Sequence, residues 1–318
     1  MKNTMTAFDV LVIGELNVDI ILDDIQGFPV IGKEILANEL NVTLGSSSAI
    51  FASNLSTMGR CVAFAGLIGE DSFSQMVFDS LTQKKVDTGF IAKTTHYGTG
   101  LTIVMNYGMD RANVTFPGAM EQLSEKDITN SMLSSSKHMH LSSIFLQKGI
   151  RKEVVRLFER AKRLGLTTSM DPQWDPEENW DLDLDVLLPY IDIWMPNEVE
   201  FKKITKSGSL SEGIEKIKQY ANHIVIKDGA RGAHLWTNGE LITRPAFINR
   251  DVADCIGAGD SFDAGFISEF IAGNDLVRCL EIGNIMGAIN TMEPGGTTAF
   301  KNAQQIKELA REKFQFTY

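Results

Sequence analysis

Cysteine is scarce in this 318-residue chain. Cys61, Cys255 and Cys279 are too few and too scattered for a disulfide framework or a zinc site. No stretch approaches the ~18 consecutive apolar residues that a membrane span needs. The opening Met1-Lys2-Asn3-Thr4-Met5-Thr6 lacks the apolar core and small-residue cleavage site of a secretory signal, so the expected location is the cytoplasm. A block of basic residues is missing too: 30 Lys and Arg stand against 41 Asp and Glu, a net charge of −11, which argues against a nucleic-acid footprint. Neither an internal repeat nor a low-complexity tract is present. What remains is 43% hydrophobic and 22% charged, enough to bury a sizeable core. The length suits about two domains, or one large α/β domain with an excursion. These absences leave small molecules as the expected partners, with neither nucleic acid nor a membrane among them.

Short apolar runs punctuate the chain at Phe8–Ile13, Val62–Ile68, Lys137–Leu141, Leu166–Met170, Ile191–Met195 and His223–Ile226. Each has the length of a buried strand, and the first is closed by Gly14. Helical periods lie between them. Ala49–Met58 reads as a helix buried on most sides. Ile150–Leu164 reads as one amphipathic helix, with Val154, Val155, Leu157, Phe158, Ala161 and Leu164 on its apolar stripe. Strands alternating with helices predict a mostly parallel sheet covered by helices on both faces. Ligands of such sheets sit beyond the carboxyl ends of the strands.

Two segments break this rhythm. Residues 15–45 and 97–118 are rich in β-formers and glycine but have no helical period, and Glu39–Leu44 and Leu101–Tyr107 read as strands with one polar face. They predict a discontinuous β-sheet lid beside an α/β domain built from residues 1–14, 46–96 and 119–318. The apolar face of so small a sheet must cover a cleft or pair with a second subunit. Asn238-Gly239 marks a hairpin within Gly232–Pro245. His138 and His140 alternate with apolar residues on a strand, so one is expected in the core, and two histidines without a third ligand make no metal site.

The sharpest local signal is Asp254-Cys255-Ile256-Gly257-Ala258-Gly259-Asp260, leading into a helix that runs to about Ile271. Small residues before a helix leave backbone N–H groups free at the positive end of its dipole, which is an anion site. Asp260 then stands beside the anion. It is either a helix cap or a general base that takes a proton from an attacking hydroxyl. Two other strand ends add pieces. Asn197 and Glu200, three apart at a helix start, form a capping box or approach a hydrated Mg²⁺. Lys227, Gly229 and Gly232 form either a hairpin entry or a turn against a nucleotide's phosphates.

Asp254–Asp260 resembles the Asp-Thr-x-Gly-Ala-Gly-Asp signature of the ribokinase-like carbohydrate kinases of phosphofructokinase-B type, with Cys255 in place of Thr. Asn197-x-x-Glu200 and Lys227-x-Gly229-x-x-Gly232 precede it in that family's order, and the likeness runs from Gly14 to Gly296. It implies a three-layer α/β/α nucleotide-binding domain, a mostly parallel central sheet and a β-sheet lid. It also implies that Asp260 is the catalytic base and that Gly257, Ala258 and Gly259 form the anion hole. Asn197 and Glu200 would organise Mg²⁺ through water, while Lys227, Gly229 and Gly232 would lie against ATP. Asn284 and Ala288 would sit near its adenine. Asp254 and Ile256 fall where members with a monovalent-cation site, such as one for K⁺, place backbone ligands. For the acceptor, Asp19 matches the residue that holds sugar hydroxyls, with Asn17 and Gly45 as neighbours.

The departures bear on the substrate. Where the family usually has Gly-Gly-x-x-x-Asn, this chain has Gly45-Ser46-Ser47-Ser48-Ala49-Ile50, so Ser46–Ser48 are expected to offer hydroxyls to the sugar. Members acting on acidic ketosugars carry Asp-x-Asn-x-Arg. Here the segment is Asp171-Pro172-Gln173-Trp174-Asp175, which places Asp171 and Gln173 at the substrate and a carboxylate, Asp175, where a cation would be. Such a charge repels an acidic acceptor. The expectation is therefore Mg²⁺- and ATP-dependent phosphorylation of a hydroxyl on a small neutral sugar, ribose- or fructose-like, by a homodimer joined through its lids. One alternative is a nucleoside kinase, with Phe28, Tyr107 or Phe116 sandwiching the base. Another is a non-catalytic sugar or nucleotide sensor, which Ser46 and Ile50 admit.

Overall fold

The computed structural model describes residues 6–107 and 110–317. Met1–Met5, from the segment assessed for a secretory signal, residues 108 and 109 of the second excursion, and Tyr318 lie outside the described residues. Thirteen strands are present among the described residues: β1 (Phe8–Ile13), β2 (Asn17–Ile25), β3 (Ala37–Leu44), β4 (Val62–Gly69), β5 (Asp87–Thr94), β6 (Gly100–Tyr107), β7 (Asp110–Phe116), β8 (Ser136–Ser142), β9 (Thr167–Asp171), β10 (Ile193–Trp194), β11 (His223–Lys227), β12 (Ala233–Thr237) and β13 (Glu240–Arg244).

Nine of them form one sheet in the order β13-β12-β11-β10-β9-β8-β1-β4-β5. It is parallel from β5 to β11, and β12 and β13 add an antiparallel edge. A central strand of such a sheet is buried on both faces, which is why its segments read as continuous apolar runs. In β1, Leu11 and Ile13 enter one core with Met139, Met170 and Phe158, while Val10 and Val12 enter the other with Phe51, Phe64 and Phe266. The β12–β13 hairpin turns at Asn238 and Gly239, both at positive φ (50° and 85°), as an Asn-Gly turn requires.

Both histidines lie in the core, one more than expected. Thr167, His138, Ser169, His140 and Ser142 form a continuous chain of hydrogen bonds of 2.7–2.8 Å across β8 and β9. Those hydroxyls are what make two buried imidazoles tolerable. Burial lowers His138 to about 3 and His140 well below its usual range, so both are neutral.

The single helix expected over 150–164 is two pieces, Lys148–Arg151 and Val154–Arg163. The first is docked separately. Gly149 packs against the Leu123 carbonyl so closely that a Cβ would clash, and Arg151 donates to the Asp181 carbonyl (2.8 Å). Further along, helices Ala258–Ile271 and Leu276–Asn290 approach through glycines. A Cβ on Gly265 would sit 2.6 Å from Met286, and one on Gly283 would sit 2.8 Å from the Phe262 ring. This close packing fixes the start of the first helix. No helix of the described residues is long and apolar enough to cross a membrane.

The remaining strands form a separate sheet, β3-β2-β6-β7. Paired residues share a face, and the register separates two chemistries. Asp19, Thr43, Thr102 and Thr115 lie on one face, with Asn41, Asn113, Asn106 and Arg111 farther along it. The other face carries Ile20, Val42, Ile103, Val114, Leu101, Phe116, Leu22 and Leu40. Ile21 and Val104, on the polar side, pack against Ile256 of the glycine-rich turn, so that face is turned toward the larger sheet's loops.

Candidate active site

β1 and β8 are neighbours, yet the chain leaves β1 toward β4 and β5 on one side and continues from β8 toward β11 on the other. Such a reversal opens a crevice at the carboxyl ends of the strands. Glu15 follows β1, Ser143 follows β8, Asp171 ends β9, Asn197 follows β10 and Lys227 ends β11. The helix Ala258–Ile271 begins among these ends.

Gly257 caps that helix in the left-handed region (φ 76°), and a Cβ there would lie 2.6 Å from Gly296 Cα, so only glycine fits. Ala258 N–H donates to the Cys255 carbonyl at 3.3 Å. Of the three residues expected to form the anion hole, Gly257 and Gly259 therefore keep unengaged N–H groups, while that of Ala258 is partly used in the turn. Asp260, in the first helical turn, is buried.

Around Asp260 lies a crowd of carboxylates. Lys227 Nζ reaches Asp171 Oδ2 at 2.6 Å and Asp263 Oδ2 at 2.9 Å, with all three side chains nearly or fully buried. Gln173 Nε2 donates to Asp171 Oδ2 (2.6 Å) and to Asp260 Oδ1 (3.0 Å). Burial, then the charge of Asp171, pushes Asp260 up to about 7; Lys227 and a hydrogen bond from Ser47 oppose this, and Glu15 adds to it. Burial also raises Asp263. It opposes the charge on Lys227 as well, but Asp171, Asp263 and Glu200 together hold that ammonium above its usual range. Lys227, expected to offer its charge to phosphates, is thus already paired in the protein. It still lies beside the turn, 3.7 Å from where a Gly259 Cβ would be.

The expected acceptor residues come together at the root of the small sheet. Asn17 Nδ2 donates to Asp19 Oδ1 (2.8 Å) and Thr102 Oγ1 (3.2 Å). A Cβ on Gly45 would collide with both the Asp19 carboxylate and the Asn17 amide, so glycine is required there by close approach. Burial raises Asp19 to about 7; hydrogen bonding from Asn17 and the nearby Arg111 charge oppose it.

Two expectations about this side, the serine hydroxyls and the Asp175 charge, need correction. Ser46 does not present its hydroxyl to a sugar: it donates to the Glu15 carbonyl (2.6 Å) and accepts from Ala49 N–H (2.9 Å) as a helix N-cap. Ser48 likewise serves Glu15 Oε2 (2.5 Å), and Ser47 serves Asp260. Asp175 is fully buried, and its carboxylate accepts from the N–H groups of Glu177 (3.0 Å) and Trp180 (2.7 Å). It holds its own loop and presents no charge to an acceptor, so the argument for a neutral sugar built on it falls. Trp174 is half exposed and meets Trp180 edge-on at 4.9 Å.

On the nucleotide side, Asn197 and Glu200 form the capping box, Asn197 Oδ1 accepting from Glu200 N–H and Glu200 Oε2 from Asn197 N–H, both at 2.9 Å. Glu200 Oε1 is left over, and burial and Asp171 raise this carboxyl to about 8. A hydrated Mg²⁺ fits one spare oxygen through water, because that ion keeps several of its waters. Among the described residues no three His, Cys, Asp or Glu side chains are grouped to hold a metal directly. Gly232 (φ 104°) and the Asn284 amide converge on residues 244–246. A Gly232 Cβ would strike Arg244 O, and Asn284 Nδ2 donates to Arg244 O and Pro245 O at 3.3 Å each. Gly229 (φ 55°) faces open space, and Ala288 is buried on the helix that carries Asn284. The loop expected to hold a monovalent cation is braced by hydrogen bonds within the protein. Asp254 accepts from Ile256 N–H (2.7 Å) and Gly295 N–H (3.0 Å), and the Ile256 carbonyl accepts from Asn290 Nδ2 (2.6 Å).

Glu15 and Asp263 were not anticipated. Glu15 is fully buried and raised by burial, accepting from Ser48 and from Ser143 Oγ (3.1 Å). Its position directly after the first strand was the available signal. Asp263 lies one helical turn after Asp260, on the same face.

A family model described as pfkB family carbohydrate kinase matches residues 7–303. The ATP-dependent 6-phosphofructokinase of Thermoanaerobacterium thermosaccharolyticum is 22% identical over 308 residues, covering 95% of this chain and 94% of that protein. Ribokinase from Arabidopsis thaliana, solved with ribose and ATP, aligns with a TM-score of 0.82 at 21% identity, covering 95% of this chain and 98% of that one. A putative ribokinase II from E. coli, in complex with ATP and Mg²⁺, gives 0.83 at 23% identity and covers 96% and 99%. The large sheet with its separate small companion is the ribokinase fold. A family match that spans all the strand ends gathered here carries the assignment: the chain belongs to the pfkB family of carbohydrate kinases and is a phosphotransferase.

Proposed function

We propose that the protein transfers the γ-phosphoryl group of ATP to a hydroxyl of a small sugar, with Asp260 as the general base. The observation that carries this reading is the buried Asp260 carboxyl, raised to about 7, at a helix start whose Gly257 and Gly259 N–H groups have no acceptor. A base titrating near neutral pH removes a hydroxyl proton more effectively than an ordinary carboxylate. The sugar oxygen then attacks phosphorus in line, while the two N–H groups and the helix dipole stabilise the charge on the transferring group. Asn17, Asp19 and Gly45 hold the acceptor hydroxyls. Lys227, Gly229, Gly232, Asn284 and Ala288 flank the nucleotide, Lys227 acting near the phosphates as a paired charge. Asn197 and Glu200 would hold Mg²⁺ through its waters, and the ion would supply positive charge to offset that of the phosphates.

We take residues 15–45 and 97–118 as a lid that excludes water from the transfer, its polar face over the cleft. Its other face is apolar and open: Leu40 is 65%, Val114 58% and Phe116 56% exposed. The occupant that fits this exposed apolar face is the same face of a second copy. That placement also weakens the nucleoside reading. Phe28 and Tyr107 stack on each other (4.4 Å), and Tyr107 and Phe116 lie on the apolar face, opposite Asp19.

ADP release by the purified protein with MgATP, across neutral sugars, keto-acids, sugar phosphates and nucleosides, tests the reading. Turnover with a sugar or sugar derivative supports it, and turnover confined to nucleosides replaces the substrate. ATP binding without turnover on any acceptor would favour a sensor.

A further inference from the structure

Gln173 was expected to touch the substrate, but its surroundings assign it elsewhere. It sits immediately beyond β9 in the left-handed region (φ 59°), a conformation unusual for a side chain of its length. An amide nitrogen has two protons, and both are directed at carboxylates: Asp171 Oδ2 at 2.6 Å and Asp260 Oδ1 at 3.0 Å. The reverse orientation would point the amide oxygen at two carboxylate acceptors, so the donor assignment follows from chemistry. Asp171 is in turn fixed by Lys227, which also holds Asp263. A rigid row results, Lys227–Asp171–Gln173–Asp260, reaching from the end of β11 to the base.

We infer that Gln173 is a positioning residue for Asp260, aiming the carboxylate at the acceptor hydroxyl and keeping it ionised, rather than a contact for the sugar. No proton moves along the row, because each amide hydrogen stays on its nitrogen. The inference rests on the reading of Asp260 as the base. The groups acting on Asp260 are Asp171 from β9, Lys227 from β11, Glu15 from the end of β1 and Glu200 at the start of the Glu198–Ile204 helix, while the Ser47 hydroxyl favours its ionised form; Asp263, one turn along its own helix, is held by Lys227. Burial, Asp171 and Glu15 favour the protonated form. Lys227, Ser47 and Gln173 oppose them, and of these only Gln173 links the base to a second fixed carboxylate.

The test is kcat/KM against pH, with the acceptor that the wild type turns over, for Gln173→Gly and Gln173→Asn. Both replacement residues suit a left-handed backbone. Removing a donor from the charged form raises the pKa of the base. In Gln173→Gly the acid limb should move up by about one pH unit, giving about a tenfold loss on that limb and a much smaller loss at high pH. KM for ATP should not change. Gln173→Asn keeps an amide on a shorter arm and should fall between the two; should the glycine variant fail to fold, this comparison alone still discriminates. A pH profile unmoved in a folded variant overturns the inference, as does a pH-independent loss with raised KM for the sugar, the signature of a substrate contact. A wild type that phosphorylates no acceptor defeats the Asp260 reading and this inference with it, whereas an active wild type with unmoved variants defeats only the role of Gln173.

Discussion

Replacing Asp260 with asparagine should abolish most activity and stabilise the fold. Burial and Asp171 raise this carboxyl from an ordinary 3.8 to about 7. A raised acid holds its proton more tightly in the folded state. Its contribution is therefore full below the unfolded pKa, near 3.8, and is lost as pH climbs toward 7. At ~1.4 kcal/mol per pH unit, that rise corresponds to about 4 kcal/mol. The amide of the Asp260→Asn variant cannot ionise and escapes the penalty. Urea unfolding of both proteins from pH 5 to 8.5 should show the variant's advantage growing by about 1.4 kcal/mol per pH unit up to about pH 7, then levelling. Phosphoryl transfer at pH 8, followed by ADP release, should fall by roughly 10²–10⁴-fold with ATP binding intact. An advantage that stays constant across this range, or a variant less stable than wild type at pH 8, would refute the idea that the base is held under electrostatic strain. Near-normal transfer would remove Asp260 from the chemistry.

Gly45→Ala should raise KM for the sugar by about tenfold, the equivalent of one lost hydrogen bond, because its methyl group forces Asp19 and Asn17 out of position. KM for ATP in the same initial-rate measurements should hold, and a matching rise there would mean the whole domain had shifted. Sedimentation of the wild type should give a dimer, and Leu40→Glu combined with Val114→Glu should give a monomer that still binds ATP. A wild type that sediments as a monomer would sink the proposed pairing of apolar faces.

The strands of the large sheet were legible because burial on both faces leaves a continuous apolar run in the sequence, as in Phe8–Ile13 and His223–Ile226. The small sheet showed in the alternation of Leu101–Tyr107, where Thr102 and Asn106 fall on the face opposite Leu101, Ile103 and Met105. The glycine-rich turn was legible too, since a helix capped at φ 76° with Gly296 2.6 Å from a would-be Cβ admits little else. Partner choice among polar residues was not. Lys227 and Asp171 are 56 positions apart, and nothing local distinguishes a lysine that awaits phosphate from one already held by two carboxylates. Asp175 misled for the opposite reason. It was assigned a long-range role although an aspartate followed by Pro176 and Glu177 commonly bonds its own backbone two residues on, as it does here.

On the proposed reading of Asp260 as the base, the same cluster explains why the donors around it are as necessary as the acids. Burial and neighbouring carboxylates are what bring a group of ordinary pKa 3.8 up to about 7. Left unopposed, they would carry it further, and a base protonated at working pH accepts nothing. Lys227 offsets part of that field as a fixed charge, and Gln173 and Ser47 do so as hydrogen-bond donors to the ionised form. The value near neutrality is therefore a difference between two large opposing influences. It depends on geometry held by several separate strand ends, and small displacements of any of them should register in the pH dependence before they register in binding.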